Sequence, residues 1–217
     1  MSHSHHWYYS KEEERANTLT HFVGMLLAIV GLILLILRAA NTGYINNIVG
    51  CSVYGVSLVI LYTASFLYHY SEKIGFKRTF QFLDHLSIYF LIAGTYTPVA
   101  LIALYGTISW IILGLLWGLA IFGFFYKLFF FDSGWISTFI YILMGWTALG
   151  FIVQVVEALP LGCLMLILLG GVIYTSGTLF YMLDEHIKYC HALWHVFVLG
   201  GTICHFFAIY IYLAGSM

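Results

Sequence analysis

The sequence predicts an all-α integral membrane protein: a bundle of seven transmembrane helices with its N-terminus inside and its C-terminus outside. Three observations predict it. Hydrophobic residues make up 62 % of the 217 residues and charged residues only 8 %, where a soluble domain carries about 25 % charged. Seven stretches reach the roughly 20 apolar residues that a helix needs to cross a bilayer. Lysine and arginine fall almost entirely on alternate connections, the bias that marks cytoplasmic loops.

So few charges cannot cover a water-facing surface. A soluble core of apolar helices would need amphipathic helices around it, and no segment is left to supply them. Barrel strands would be shorter and alternate in polarity. A net charge of −1 carries no basic footprint for nucleic acid. Two prolines and long apolar runs exclude a disordered chain. About twenty polar residues precede the first apolar run, which is itself long enough to span, so no cleavable signal is expected. The four cysteines, Cys51, Cys163, Cys190 and Cys204, form no CxxC pair and read as small apolar residues without disulfides.

The expected spans run from His21 to Ala40, Ile48 to Tyr70, Phe82 to Leu104, Ile108 to Tyr126, Ile136 to Val156, Gly162 to Leu183 and His191 to Leu213. The breaks carry turn chemistry: Asn41-Thr42-Gly43, Ser71 to Thr79, Tyr105-Gly106-Thr107, Asp132-Ser133-Gly134, Glu157 to Leu161 with Pro160, and Asp184 to Cys190. Connections this short make neighbouring helices antiparallel. The chain therefore reads as one membrane domain over residues 1–217, with 1–17 as a cytoplasmic N-terminal segment. Placing the N-terminus inside puts Lys11, Arg15, Lys73, Lys77, Arg78, Lys127 and Lys188 on the cytoplasmic side and only Arg38 outside.

Counting helices then gathers the polar residues at one level. Glu14, Asn17 and His21 lead into the first span. Ser65 and His69 lie on the last turns of the second, Asp84 and His85 open the third, and His191 and His195 open the seventh. His191 and His195 are four apart, which puts both imidazoles on one helical face, one turn apart. That is the geometry for two ligands of a zinc site, although an HxxxH pair alone is as often simple packing. His69 can supply a third nitrogen. Three protein ligands with an open fourth position make the catalytic zinc arrangement. Asp84 is placed to hold or deprotonate a metal-bound water. Ser65 shares the face of His69 and can bond water or a substrate carbonyl, against the alternative of bonding its own helix. Glu14, Asn17 and His21, spaced three and four apart, can orient ligands from a second layer or simply cap a helix start.

Other residues get plainer readings. His205 lies fourteen residues past His191, about 21 Å along the helix, too far to share the metal; it reads as a hydrogen-bonded residue deep in the bundle. His186 sits in a polar loop. His3, His5 and His6 form a tail that can bind metal adventitiously. His85 points about 100° from Asp84, and Cys190 ranks low as a ligand. Asp132, Glu157, Asp184 and Glu185 read as solvated loop charge. Trp7, Trp110 and Trp135 fit interfacial belts. Pro98 should kink the third helix, and Thr95 can line a cavity there.

These residues resemble the haemolysin III proteins, the bacterial branch of the progestin and adipoQ receptor family. Three blocks carry the resemblance: Glu14-x-x-Asn17-x-x-x-His21; Ser65-x-x-x-His69 with Asp84-His85 and Ala93-Gly94-Thr95-Tyr96-Thr97-Pro98; and His191-x-x-x-His195. The resemblance runs from about Glu14 to the end of the chain. It implies seven helices with the N-terminus inside, zinc held by His69, His191 and His195, and Asp84 against the zinc-bound water. The wider superfamily includes alkaline ceramidases, which hydrolyse a lipid amide.

Residues and resemblance together favour a zinc-dependent intramembrane hydrolase of a lipid amide or ester, ceramidase-like, with a membrane lipid as substrate or ligand. Asp84 and Ser65 would be catalytic, and zinc the cofactor. The alternative is a non-enzymatic sensor or membrane-homeostasis protein whose zinc is structural. A haemolysin or channel ranks third, because the polar residues gather at one end rather than forming a stripe through the bundle.

Overall fold

The computed structural model describes residues 9–130 and 134–216. The tail histidines His3, His5 and His6, with Trp7, the turn residue Asp132 and the Trp135 side chain, lie outside the described residues. The chain forms α1 (Lys11–Ala40), α2 (Ile45–Tyr70), α3 (Ile74–Pro98), α4 (Thr107–Phe129), α5 (Gly134–Gly145), α6 (Ile152–Ala158), α7 (Leu161–Leu183) and α8 (Cys190–Tyr212). Seven spans are long and apolar enough to cross a membrane among the described residues, α5 and α6 together making the fifth. Rows of exposed apolar side chains, such as Leu26, Val30, Ile33 and Leu37 on α1, face outward where only lipid can cover them. The chain is a multi-pass membrane protein.

Two helices start well before their apolar runs, and both shifts matter for the site. α1 begins at Lys11, not near His21, because Ser10 and Glu13 form a reciprocal capping box: the Glu13 amide donates to Ser10 Oγ at 3.3 Å and the Ser10 amide to Glu13 Oε2 at 3.0 Å. Glu14, Asn17 and His21 are therefore helical and share one face. α3 resumes at Ile74, so only Ser71 to Lys73 link it to α2. Asp84 thus lies ten residues into α3 and does not open it. Lys77, placed by sequence in a loop, is helical and buried.

Pro98 closes the regular part of α3, and the chain continues as a π-helical turn over Val99–Ala103. Proline has no N–H and its ring crowds the preceding turn, so the backbone widens here; Thr97 donates back to the Ala93 carbonyl at 2.8 Å. The fifth span is broken between α5 and α6 by a 3-10 turn over Thr147–Phe151. The Tyr96 hydroxyl serves the loosened backbone, donating to the Gly145 carbonyl at 2.6 Å and accepting from the Ala148 amide at 3.0 Å.

Close packing joins α1 to α2, α2 to α3, and α7 to α8, while α5 touches α3 and α7 only lightly. Gly24 permits the first contact: a Cβ there would run into the Tyr62 ring. The Tyr62 hydroxyl in turn pairs with Thr202 Oγ1 on α8 at 2.7 Å. All four cysteines are free thiols. Every buried acidic, lysine or histidine residue among the described residues (Glu13, His21, His69, Lys77, Asp84, Lys127, His191 and His195) belongs to one end of the bundle. We call this end the histidine face.

Candidate metal centre

Three histidines from two helices meet at the histidine face. His69 comes from the last turn of α2, and His191 and His195 from the first two turns of α8. Their ring centroids lie 5.0, 5.0 and 4.6 Å apart. One ring nitrogen from each falls within 4.8 Å of the others, and all three residues are buried.

The Nδ1 atom of each ring is already engaged. His69 Nδ1 lies 2.7 Å from Glu14 Oε2, His191 Nδ1 is 2.7 Å from Asp184 Oδ2, and His195 Nδ1 is 3.0 Å from Thr20 Oγ1. The Thr20 hydroxyl donates to the carbonyls of Ala16 and Asn17, so it accepts from His195. Carboxylates can only accept. All three rings therefore carry their proton on Nδ1 and present a bare Nε2, the tautomer that binds metal. Nε2 of His69 and of His191 are buried without a hydrogen-bond partner. Unpaired buried acceptors are costly, and a three-imidazole set with one position left open suits zinc. The residues present fit that ion.

Asp184 was expected to be solvated loop charge. Its side chain is only 9 % exposed and bonded to His191. It sits at the C-terminal end of α7, and the tight turn into α8 folds it back over the site. Tyr9 closes the same corner: its hydroxyl donates to Asp184 Oδ2 at 2.7 Å and lies 2.8 Å from His191 Nδ1. Burial, with the Asp184 carboxylate beside it, pushes the Tyr9 phenol far above its ordinary pKa, so it remains a donor. Glu13 ties α1 to this turn by accepting the Tyr189 amide at 3.0 Å. That bond holds Tyr189 in left-handed backbone, φ 63°, a conformation uncommon for a bulky residue.

The three α1 residues expected to orient ligands separate. Glu14 bonds His69 Nδ1, and its second oxygen is 2.7 Å from Lys77 Nζ. Lys77 also donates to the Tyr68 carbonyl at 3.2 Å. His21 instead stacks on the His195 ring, centroids 3.5 Å apart and nearly parallel. The side chains of Asn17 and His21 make no hydrogen bond; they pack against the site without bonding a ligand nitrogen. The Ser65 hydroxyl faces the Asp84 carboxyl without reaching hydrogen-bonding geometry with it or any other group. Asp84 is buried and within Coulombic range of His191. His85 turns away, its Nδ1 3.5 Å from Lys127 Nζ and its carbonyl accepting from the Tyr141 hydroxyl at 2.8 Å. His205 pairs with the Ile167 carbonyl at 3.0 Å, deep in the bundle, and His186 is exposed in the turn before α8.

An apolar cavity of about 130 Å3 lies between α2, α3, α5, α7 and α8. Thr95 lines it, as expected, together with Tyr181, Trp194 and His205. The Tyr181 ring also contacts His191, centroids 6.1 Å apart, so one residue borders both the cavity and the histidine cluster.

The motifs, the seven spans and the histidine cluster coincide with one family. The model of the haemolysin-III related family matches residues 9–206. The chain belongs to this family. It is 42 % identical over 204 residues to Hemolysin-3 of Bacillus cereus, covering 93 % of this chain and 92 % of that protein. It is 41 % identical over 202 residues to the Hemolysin-3 homolog of Bacillus subtilis, covering 93 % and 94 %. The monocyte to macrophage differentiation factor of Homo sapiens is 30 % identical over 210 residues, covering 94 % and 86 %. No solved structure matches. The family match opens at Tyr9, the residue that closes over His191 and precedes every motif read from the sequence.

Sequence reasoning missed Tyr9, Thr20, Lys77 and Asp184. For Glu13 a signal was present, since Ser10-x-x-Glu13 is a capping-box pattern. For Asp184 and Thr20 none was: a loop carboxylate and a helical threonine look alike whether solvated or bonded to an imidazole.

Proposed function

We propose that this haemolysin III protein is a zinc-dependent intramembrane hydrolase acting on an amide or ester bond of a membrane lipid. The observation that carries the reading is the set of three buried imidazoles, each held through Nδ1, with Asp84 and Ser65 beside them and no fourth protein ligand among the described residues. Zinc bound there supplies a Lewis acid for a carbonyl and makes a nucleophile available from water near neutral pH. Glu14 and Asp184 hold the His69 and His191 tautomers. The Asp84 carboxylate accepts the proton that water gives up and returns it to the leaving group. The Ser65 hydroxyl orients the substrate carbonyl. Tyr9, Asp184 and the turn before α8 keep bulk water from the His191 side. An acyl chain lies along the apolar cavity beyond Tyr181 and Trp194.

Bacterial relatives carry the name haemolysin. A pore needs polar surface through the whole bundle, whereas here the buried charges gather at the histidine face and the cavity wall is mostly apolar. The test pairs zinc occupancy with turnover of a panel of N-acyl and ester lipids by wild type and Asp84→Asn. Zinc retained with turnover lost supports the hydrolase. Zinc lost in Asp84→Asn, or no turnover by zinc-loaded wild type, favours the structural-zinc sensor.

A further inference from the structure

A second concave surface lies outside the bundle, between α1 and α2 at the histidine face. Its volume is about 850 Å3, far more than one ion or a few waters require, at about 30 Å3 per water. It is amphiphilic from end to end. Lys11 and Arg15 stand one helical turn apart on its outer rim, both exposed and neither ion-paired among the described residues. Its acidic groups are Glu72, in the connection between α2 and α3, and Glu14, whose two oxygens are taken by His69 and Lys77. With Lys77 set against Glu14, the lining carries two cations against the single carboxylate of Glu72, and so stays net positive.

Below the rim the lining turns apolar. Phe22 packs on Phe66, centroids 5.4 Å apart, and Phe66 on Tyr70 at 5.5 Å, making a continuous aromatic floor with Leu19 exposed beside it. Arg15 and Phe22 are seven residues apart on α1, about 10 Å along the axis. Cations at one height and a greasy floor about 10 Å deeper match an anion carried on an acyl chain. They do not match a soluble anion, which has no use for the floor, or a neutral lipid, which has no use for the rim.

We infer that this α1–α2 groove binds an anionic phospholipid, with the phosphate on Lys11 and Arg15 and an acyl chain over Leu19, Phe22 and Phe66. His69 lies in the groove's inner wall with its side chain sealed at 0 % exposure, so the bound lipid runs beside the metal centre without touching the imidazole, on the side away from the internal cavity. The assignment does not depend on hydrolysis; it holds equally for a substrate waiting to enter and for a lipid that only occupies the groove.

The test is a lipid titration of the purified full-length protein followed by native mass spectrometry. Dioleoyl phosphatidylglycerol, dioleoyl phosphatidylcholine and free glycerol 3-phosphate serve as probes. Phosphatidylglycerol should bind in preference to phosphatidylcholine, and glycerol 3-phosphate should not compete at equal concentration. Lys11→Gln with Arg15→Gln should weaken phosphatidylglycerol by about thirtyfold, the factor two cations contribute at an anionic lipid surface. Lys73→Gln with Arg78→Gln, which removes two exposed charges outside the groove lining, should leave it within about twofold. Equal loss in both double variants would mean general surface attraction and overturn the site. So would the absence of any preference between the lipids, or competition by glycerol 3-phosphate. A phosphatidylglycerol with a photoactivatable acyl chain gives a readout on wild type alone: it should label Leu19, Phe22 or Phe66, and labelling confined to other helices would overturn the proposal.

Discussion

Oε2 of Glu14 lies 2.7 Å from Nδ1 of His69, joining the start of α1 to the end of α2 across the histidine cluster. The other oxygen of the same carboxylate holds Lys77. Glu14 thus fixes the His69 ring through Nδ1, leaving Nε2 unpartnered, and anchors the start of α3 at once. Glu14→Ala should lower zinc affinity by about 10–100-fold, the usual cost of losing a group that orients a ligand. Glu14→Gln can still accept from Nδ1 and should cost less. Chelator competition on purified protein measures both.

His69→Ala, His191→Ala and His195→Ala should each abolish stoichiometric zinc binding, measured by metal analysis with the tail His3, His5 and His6 replaced. His205→Ala and His186→Ala should retain it, because one bonds the Ile167 carbonyl and the other is exposed. Removing the metal should lower the thermal midpoint, since a ligand at a thousand times its Kd stabilises the fold by about 4 kcal/mol. An unchanged midpoint after chelation would mean that the native fold does not hold the metal tightly.

Asp184 and Tyr9 should form a graded pair. Asp184→Ala strips the carboxylate from His191 and should weaken zinc by about 10–100-fold. Tyr9→Phe removes one hydrogen bond to that carboxylate, worth about 1 kcal/mol, and should change affinity by less than about tenfold. If the two variants behaved alike, or neither had an effect, Asp184 would not be orienting a ligand.

Asp84→Asn should keep zinc and fold while hydrolysis drops by about 10²–10⁴-fold. Ser65→Ala should cost about tenfold, since one orienting hydrogen bond is worth about 1–2 kcal/mol. Steady-state turnover of the lipid that wild type prefers provides the comparison. A larger loss in Ser65→Ala than in Asp84→Asn would reverse the assigned roles.

The histidine face should be cytoplasmic. Reporter fusions at Glu72 and Lys188 should report inside, and those at Gly106, Pro160 and the C-terminal Met217 outside. The basis is the split of seven Lys and Arg against Arg38. A cytoplasmic C-terminus would invert both the orientation and the lipid leaflet that meets the α1–α2 groove.

Helix number and the convergence of polar residues were legible along the chain. Apolar length is a property of each segment alone, and the bilayer imposes one length on all of them. Seven such lengths with short turns leave only the alternating arrangement, so His69, Asp84, His191 and His195 had to share one end. The HxxxH spacing put two rings on one face before any packing was known. The start of α1 was readable too, in Ser10 and Glu13, but an apolar criterion passes over a polar helix that runs out beyond the lipid.

The partners of those rings were not legible. Whether Asp184 is solvated or bonded to His191, whether Lys77 is a loop charge or a buried counterion, and whether Asn17 and His21 bond a ligand or merely pack on it all depend on helix rotation and on the fold of a six-residue turn. Side chains 55, 175 and 182 residues apart in sequence meet here. A hydrogen bond forms over about 3 Å, a tolerance far finer than the position of a helix read from its hydrophobicity, so these contacts exist only once α1, α2, α3 and α8 have packed.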